Sequence, residues 1–225
     1  MENVEIEDVE EDFLKELYRL NFTQGLTYCS YRKWCADAGV LDSECNRGYN
    51  RLIDSGLAKA AAMGMTMAIT AEGTLYLETG NLVDPQLAEE QDQCRKTILR
   101  RGAEEYARNG RRGLVYFRHV APEVNVSERV FNMNLFLLRD IGAIELRGQN
   151  FVLTEHGRKL VKALDFSERI EARWVELKHG EAMTPQTRGH ALEELLAEIA
   201  RWDGLDVETR VRSTGEENDL VISEG

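Results

Sequence analysis

Several absences narrow this sequence first. It has only three prolines and four cysteines in 225 residues. Cys29, Cys35, Cys45 and Cys94 make no Cys-x-x-Cys pair and no dense framework, so the expectation is reduced, mostly buried thiols. His119, His156, His179 and His190 are scattered, without zinc-ligand spacing to a cysteine or to one another. There is no Gly-x-x-x-x-Gly-Lys-Ser/Thr phosphate loop, no Gly-x-Gly-x-x-Gly fingerprint and no Gly-x-Ser-x-Gly elbow. No apolar run approaches the roughly 20 residues of a membrane span. The first eight residues, Met-Glu-Asn-Val-Glu-Ile-Glu-Asp, lack the basic start and apolar core of a signal peptide. The expectation is a cytoplasmic protein with no membrane partner.

The chain is 43% apolar and 30% charged, an ordinary globular balance. Its net charge of −12 argues at first against a polyanionic partner. The distribution weakens that argument. Residues 1–12 carry seven acids and no base, and residues 168–225 carry fourteen acids against seven bases. Residues 13–167 are nearly balanced, with twenty-one basic and nineteen acidic side chains. Affinity for phosphates depends on the local field rather than on the sum.

The strongest signal is an internal repeat. Leu-Ile-Asp-Ser-Gly-Leu-Ala at 52–58 returns as Leu-Arg-Asp-Ile-Gly-Ala-Ile at 138–144. Ile-Thr-Ala-Glu-Gly at 69–73 returns as Leu-Thr-Glu-His-Gly at 153–157. Gly56 and Gly142 are 86 apart, and Thr70 and Thr154 are 84 apart. The two-residue difference falls where a hairpin loop can absorb it.

One copy can be read from its periodicity. Residues 12–20 and 28–38 have helical spacing. Asp42-Ser43 caps a third helix, in which Cys45, Tyr49, Leu52 and Ile53 share the core face. Asn46, Arg47, Asn50 and Arg51 fall on the other face. Gly56 ends that helix, and residues 57–62 and 65–69 read as short strands. Thr70 caps a fourth helix, 71–78. The second copy opens with a longer helix, Asp84-Pro85 to about Asn109, followed by the loop 110–113. Residues 114–121 fit either a short helix or a strand. Ser127 caps the helix 128–140, and Arg147–Asn150 reads as a hairpin tip between strands 143–146 and 151–153.

Helix, helix, helix, hairpin, helix, with the tail Leu…Gly…Leu/Ile-Thr-x-x-Gly, resembles the winged-helix fold, and both copies match. The resemblance implies a mainly α fold with small β-hairpin wings (α+β), in two tandem winged-helix units, 12–82 and 83–165, after an acidic tail, 1–11. It implies double-stranded DNA as partner, with the third helix in the major groove. Asn46, Arg47, Asn50 and Arg51 would then read bases, since Arg suits guanine and Asn suits adenine. Arg32 and Lys33 would hold phosphates. Arg129, Asn132 and Arg139 are the third-helix candidates of the second unit, with Arg147 at its hairpin tip, and Arg111 and Arg112 are those of the basic loop. The helix 128–140 is apolar nearly all round, which points to packing against the helix 85–109 or a second subunit. A homodimer or protein-interaction role therefore stands beside the DNA role, as does a transcription regulator.

Residues 166–183 read as a connector helix, and 184–225 as a helix followed by two strands. Arg188-Gly189, Leu192, Glu193, Leu195, Leu196 and then Asp219 resemble the opening of a PD-(D/E)XK, restriction-endonuclease-like domain of the Mrr type. The resemblance implies Glu193 and Asp219 as catalytic residues, and Asp219 as a Mg²⁺ ligand. The family's Glu-x-Lys does not follow Asp219 before Gly225. The expectation is an incomplete nuclease segment, inactive alone, whose longer parent is a Mg²⁺-dependent endonuclease of a defence system.

Overall fold

A computed structural model describes residues 7–62, 64–179, 183–213 and 216–223, with the side chains of Ala62, Arg112 and 208–223 left aside. The chain is mainly helical with small antiparallel strand pairs. No helix among the described residues is long and apolar enough to cross a membrane. The chain divides into two compact units, Met1–Val161 and Lys162–Gly225.

The first unit contains the repeat. Its first half runs α1 (Asp8–Gln24), β1 (Cys29–Ser30), α2 (Tyr31–Asp37), α3 (Asp42–Asp54), β2 (Ala58–Ala62), β3 (Thr66–Ile69) and α4 (Ala71–Thr79). The second half runs α5 (Pro85–Asn109), β4 (Val115–Tyr116), α6 (Phe117–Val120), α7 (Glu128–Asp140), β5 (Ile144–Arg147), β6 (Asn150–Leu153) and the start of α8 (Glu155–His179). The sheet orders β1-β3-β2 and β4-β6-β5 are the same, and every pairing is antiparallel. The segment 114–121, open between helix and strand in the sequence, is both: β4 and then α6.

The repeated Gly…Thr-x-x-Gly signature has a common geometry in the two halves. Gly56 and Gly142 both take φ +74°, a left-handed backbone that turns the chain from helix into strand. Thr70 Oγ1 lies 2.7 and 3.0 Å from the Gly56 and Leu57 carbonyls and accepts from Gly73 N–H at 3.0 Å. Thr154 Oγ1 lies 2.6 and 2.9 Å from the Gly142 and Ala143 carbonyls and accepts from Gly157 N–H at 3.0 Å. Each threonine thus caps one helix while holding the end of another. A Cβ on Gly73 would overlap the Leu57 carbonyl oxygen, and one on Gly157 that of Ala143.

The two halves share one core. Phe13, Leu14, Leu17, Tyr18, Tyr31, Leu52 and Leu77 of the first half are joined in it by Val130 and Leu137 of α7. Burying two such side chains contributes about 3–6 kcal/mol before entropy costs. A buried polar knot crosses the same boundary. Arg95 of α5 donates to Glu78 of α4 at 2.7 and 3.1 Å, and Tyr18 Oη donates to the same carboxylate at 2.8 Å. Asn134 of α7 donates to Gln91 at 2.9 Å and accepts from Arg95 at 3.5 Å. Burial and the Glu78 carboxylate push the Tyr18 phenol up, which keeps it a donor.

Three sequence-derived boundaries change. The helix expected at 28–38 is shortened to α2, because Cys29 and Ser30 pair with β3 as strand β1. The helix expected from residue 12 starts at Asp8, because Asp8, Glu10 and Glu11 suit the positive end of a helix dipole. The connector expected at 166–183 is no separate helix: residues 155–179 form one continuous α8, whose stretch from Lys162 onward belongs to the second unit.

In that second unit α9 (Pro185–Trp202) is followed by β7 (Asp206–Ser213) and β8 (Glu216–Ser223), paired with Val207 opposite Ile222 and Val211 opposite Asn218. α9 lies against both strands. Phe166 stacks on Trp202 with ring centroids 4.2 Å apart, and Arg169 and Arg173 each reach Glu198 at 2.5 Å.

Candidate nucleic-acid interface

α3 buries Cys45, Gly48 and Leu52 and exposes Asn46, Arg47 and Asn50. Tyr49 and Ile53 are half-buried at the edge of the core face. A glycine inside a helix costs about 1 kcal/mol relative to alanine. At position 48 the reason is close approach: a Cβ would overlap Tyr31 Oη and lie 2.7 Å from Glu10 Oε1. α3 is thereby seated directly on α1 and α2.

Arg32 and Lys33 occupy the first turn of α2 and are exposed, with Lys33 N–H donating to Ser30 Oγ at 3.3 Å. Among the described residues, Arg32, Lys33 and Arg47 make no side-chain ion pair. Arg51 differs. Glu7 Oε1 is 2.7 Å from its Nη1, and Glu10 Oε1 is 3.6 Å from its Nε. The sequence placed Arg51 among the open readers; the structure places it between two carboxylates.

The sequence candidates of the second half fare differently. With the 86-residue offset, Arg47, Asn50 and Arg51 correspond to Met133, Phe136 and Leu137. α7 turns this face to the first half: Leu137 and Val130 are buried in the first half's core, and Met133 packs against it. Arg129 is exposed at its tip, but its Cβ sits against Gly25 at the end of α1, so tightly that a Cβ on Gly25 would overlap it. Asn132 is half-buried. Most of the apolar surface of α7 is covered within the chain, by α5 on one side and α1 on the other, while Phe136 remains 40% exposed with Arg139 over its ring. α7 lacks the open polar face that α3 has.

Arg147 is exposed at the β5–β6 hairpin and forms two 3.0 Å bonds to Glu145. Arg111 is exposed in a single tight turn after α5, and the Arg112 side chain lies outside the described residues. The basic stretch of α5 is largely compensated: Arg101 pairs with Glu123 and Glu104, and Arg108 lies 3.8 Å from Glu104. Sequence reasoning missed Arg118 and His119, exposed in α6, where the offset of 86 aligns them with Arg32 and Lys33. The repeat itself was the signal that could have found them.

In the second unit Glu193 is half-buried and faces His190 Nδ1 at 3.4 Å. Asp219 lies on β8, and its side chain is outside the described residues. Among the described residues, no group of three or more His, Cys, Asp or Glu side chains is arranged to hold a metal ion. Comparison with protein-family models gives no match, and comparison with curated proteins gives none either.

Proposed function

We propose that this chain binds double-stranded DNA through α3 of the first repeat, as a winged-helix unit whose second copy serves as scaffold. The observation that carries this reading is the contrast between two equivalent helices. α3 leaves Asn46, Arg47 and Asn50 exposed and polar, whereas at the matching positions α7 carries half-buried Asn132 and Met133, an exposed but apolar Phe136, and beside them buried Leu137. Arg and Asn are the side chains that bond guanine and adenine edges in two places. Arg32 and Lys33, one helix away, would hold the flanking phosphates.

Anisotropy titrations with a random-sequence fluorescent duplex test the proposal. The two phosphate contacts of Arg32 and Lys33 give a log–log salt slope of about −2. Arg47→Glu/Asn50→Ala weakens binding, since charge reversal at Arg47 sets a carboxylate on the face that meets the DNA phosphates. Arg51 is unsuitable for charge reversal, because a third carboxylate would stand beside buried Glu10. Absence of binding at low salt, or equal binding by the variant, would overturn the reading in favour of a protein-interaction role.

The order α9, β7, β8 supports a second proposal, that the C-terminal unit opens a PD-(D/E)XK-type nuclease domain with Glu193 and Asp219 in its site. There Mg²⁺ would supply charge neutralisation and an activated water. A Mg²⁺-dependent nick in supercoiled plasmid by a chain extended through a Glu-x-Lys strand, lost in Asp219→Asn, is the expected outcome. An extended chain that binds DNA but never cuts it would favour a transcription regulator.

A further inference from the structure

The carboxylates around Arg51 are of two kinds. Glu10 is buried, 2% exposed, beneath Gly48 of α3. Its Oε2 accepts from Glu7 N–H at 2.5 Å, so it is fixed by the backbone as well as by Arg51. Glu7 is the residue before α1, and its side chain is 67% exposed. It makes the shorter contact with Arg51, 2.7 Å against 3.6 Å for Glu10. Its carboxyl is held below the ordinary carboxylate range by the bond to Arg51, and Arg47 adds a weaker attraction.

A guanidinium carries its donors in one planar fork that serves carboxylate and phosphate alike. Here Glu10 lies on the Nε edge and Glu7 on an Nη. We infer that Glu7 occupies, in the free protein, the place that a DNA phosphate takes on Arg51, so that the start of α1 is a built-in competitor for the reading face. The inference rests on the DNA-binding reading proposed above. Glu10 keeps Arg51 pointed at the surface in both states. Glu7, exposed and attached to a helix terminus, is the partner that leaves. Glu7 thereby acts locally, at one cation, and not only through net charge.

The test compares full-length wild type, Glu7→Gln and Glu11→Gln on the same fluorescent duplex at the same salt. Glu11 is the matched control: it lies on the first turn of α1 and pairs with Lys15 at 2.6 Å, away from Arg51. Both substitutions remove one negative charge. Releasing an exposed ion pair gives an expected two- to fivefold tightening, roughly, for Glu7→Gln. Glu11→Gln stays near wild type. If wild type binds and Glu7→Gln binds equally or more weakly, Glu7 is a brace for Arg51 and the inference is overturned while the DNA reading stands. Equal tightening by both variants would overturn it as well, since general charge relief then suffices. If no variant binds duplex, the DNA reading fails and takes the inference with it.

Discussion

Glu78→Ala is the perturbation that best probes how the two repeats are joined. The substitution removes two hydrogen bonds from Arg95 and one from Tyr18, at 2.7, 3.1 and 2.8 Å. Arg95 stays 7% exposed, with Asp92 at 3.9 Å and Asn134 at 3.5 Å as poor substitutes. Hydrogen bonds to a charged group contribute about 1.5–3 kcal/mol each. Water entering the vacated space recovers part of that, so the expected loss is about 3–5 kcal/mol, the range for breaking a buried pair. Against a typical total of about 5–15 kcal/mol, this is a large fraction. Urea unfolding followed by circular dichroism and tryptophan fluorescence reads it directly. The companion variant Tyr18→Phe/Glu78→Leu/Arg95→Met removes Glu78 together with the two side chains that donate to it. It should lie within about 2 kcal/mol of wild type, because the desolvation cost of the ions disappears with them. A Glu78→Ala loss below about 1 kcal/mol would refute the reasoning, since the knot would then be solvated in solution. So would a triple variant as unstable as the single one.

Three further outcomes follow from the fold. Gly73→Ala and Gly157→Ala each drive a methyl into a carbonyl oxygen, and each should cost about 1–3 kcal/mol in the same unfolding assay. A neutral effect at either position would contradict the close approach. Iodoacetamide at pH 8 should label half-exposed Cys29 in the native protein and spare buried Cys35, Cys45 and Cys94, read by mass spectrometry against an unfolded control. Rapid native labelling at several sites would refute that burial. Stability should also fall above pH 9. Burial pushes the Cys94 thiol from 9.0 up to about 12, and burial with the neighbouring Cys45 does the same to Cys35. Between those values the unfolded chain loses protons that the native state keeps, so stability decreases as pH rises, by up to about 1.4 kcal/mol per unit for each thiol. A slope shallower by one thiol's share in Cys94→Ala, with the Cys35 share remaining, is the check.

Much of the fold was legible because it is written in local periodicity. α5 and α7 lie where capping residues and the 3.6-residue spacing placed them, with Asp84-Pro85 and Ser127 as their start signals. α3 lies where its spacing placed it, but Leu41 is its N-cap and makes no side-chain bond, so Asp42 and Ser43 sit in its first turn and do not cap it. The repeated Thr-x-x-Gly could be seen as a signature, though the carbonyls it holds lie 11 to 14 residues upstream and had to be observed. β1 and β4 were missed or left open, because two residues are too short for any period to show. The burial of Glu10 was invisible: nothing adjacent to it in sequence says that Gly48 will close over it.

The sequence by itself determined that there are two copies of one helix–hairpin–helix plan, that α3 has a polar outer face, and that α7 does not. Local pattern suffices for this, since the face a side chain takes on a helix follows from spacing alone. Only the tertiary structure decided what covers each face. Leu137 meets a core built from first-half residues, Phe13 to Leu77, that lie at least 60 positions earlier, and Arg51 of α3 meets Glu7 and Glu10 at the start of α1, with β1 and α2 between them in the chain. Such partners are chosen by packing and charge neutralisation among distant segments, which no short stretch of sequence encodes.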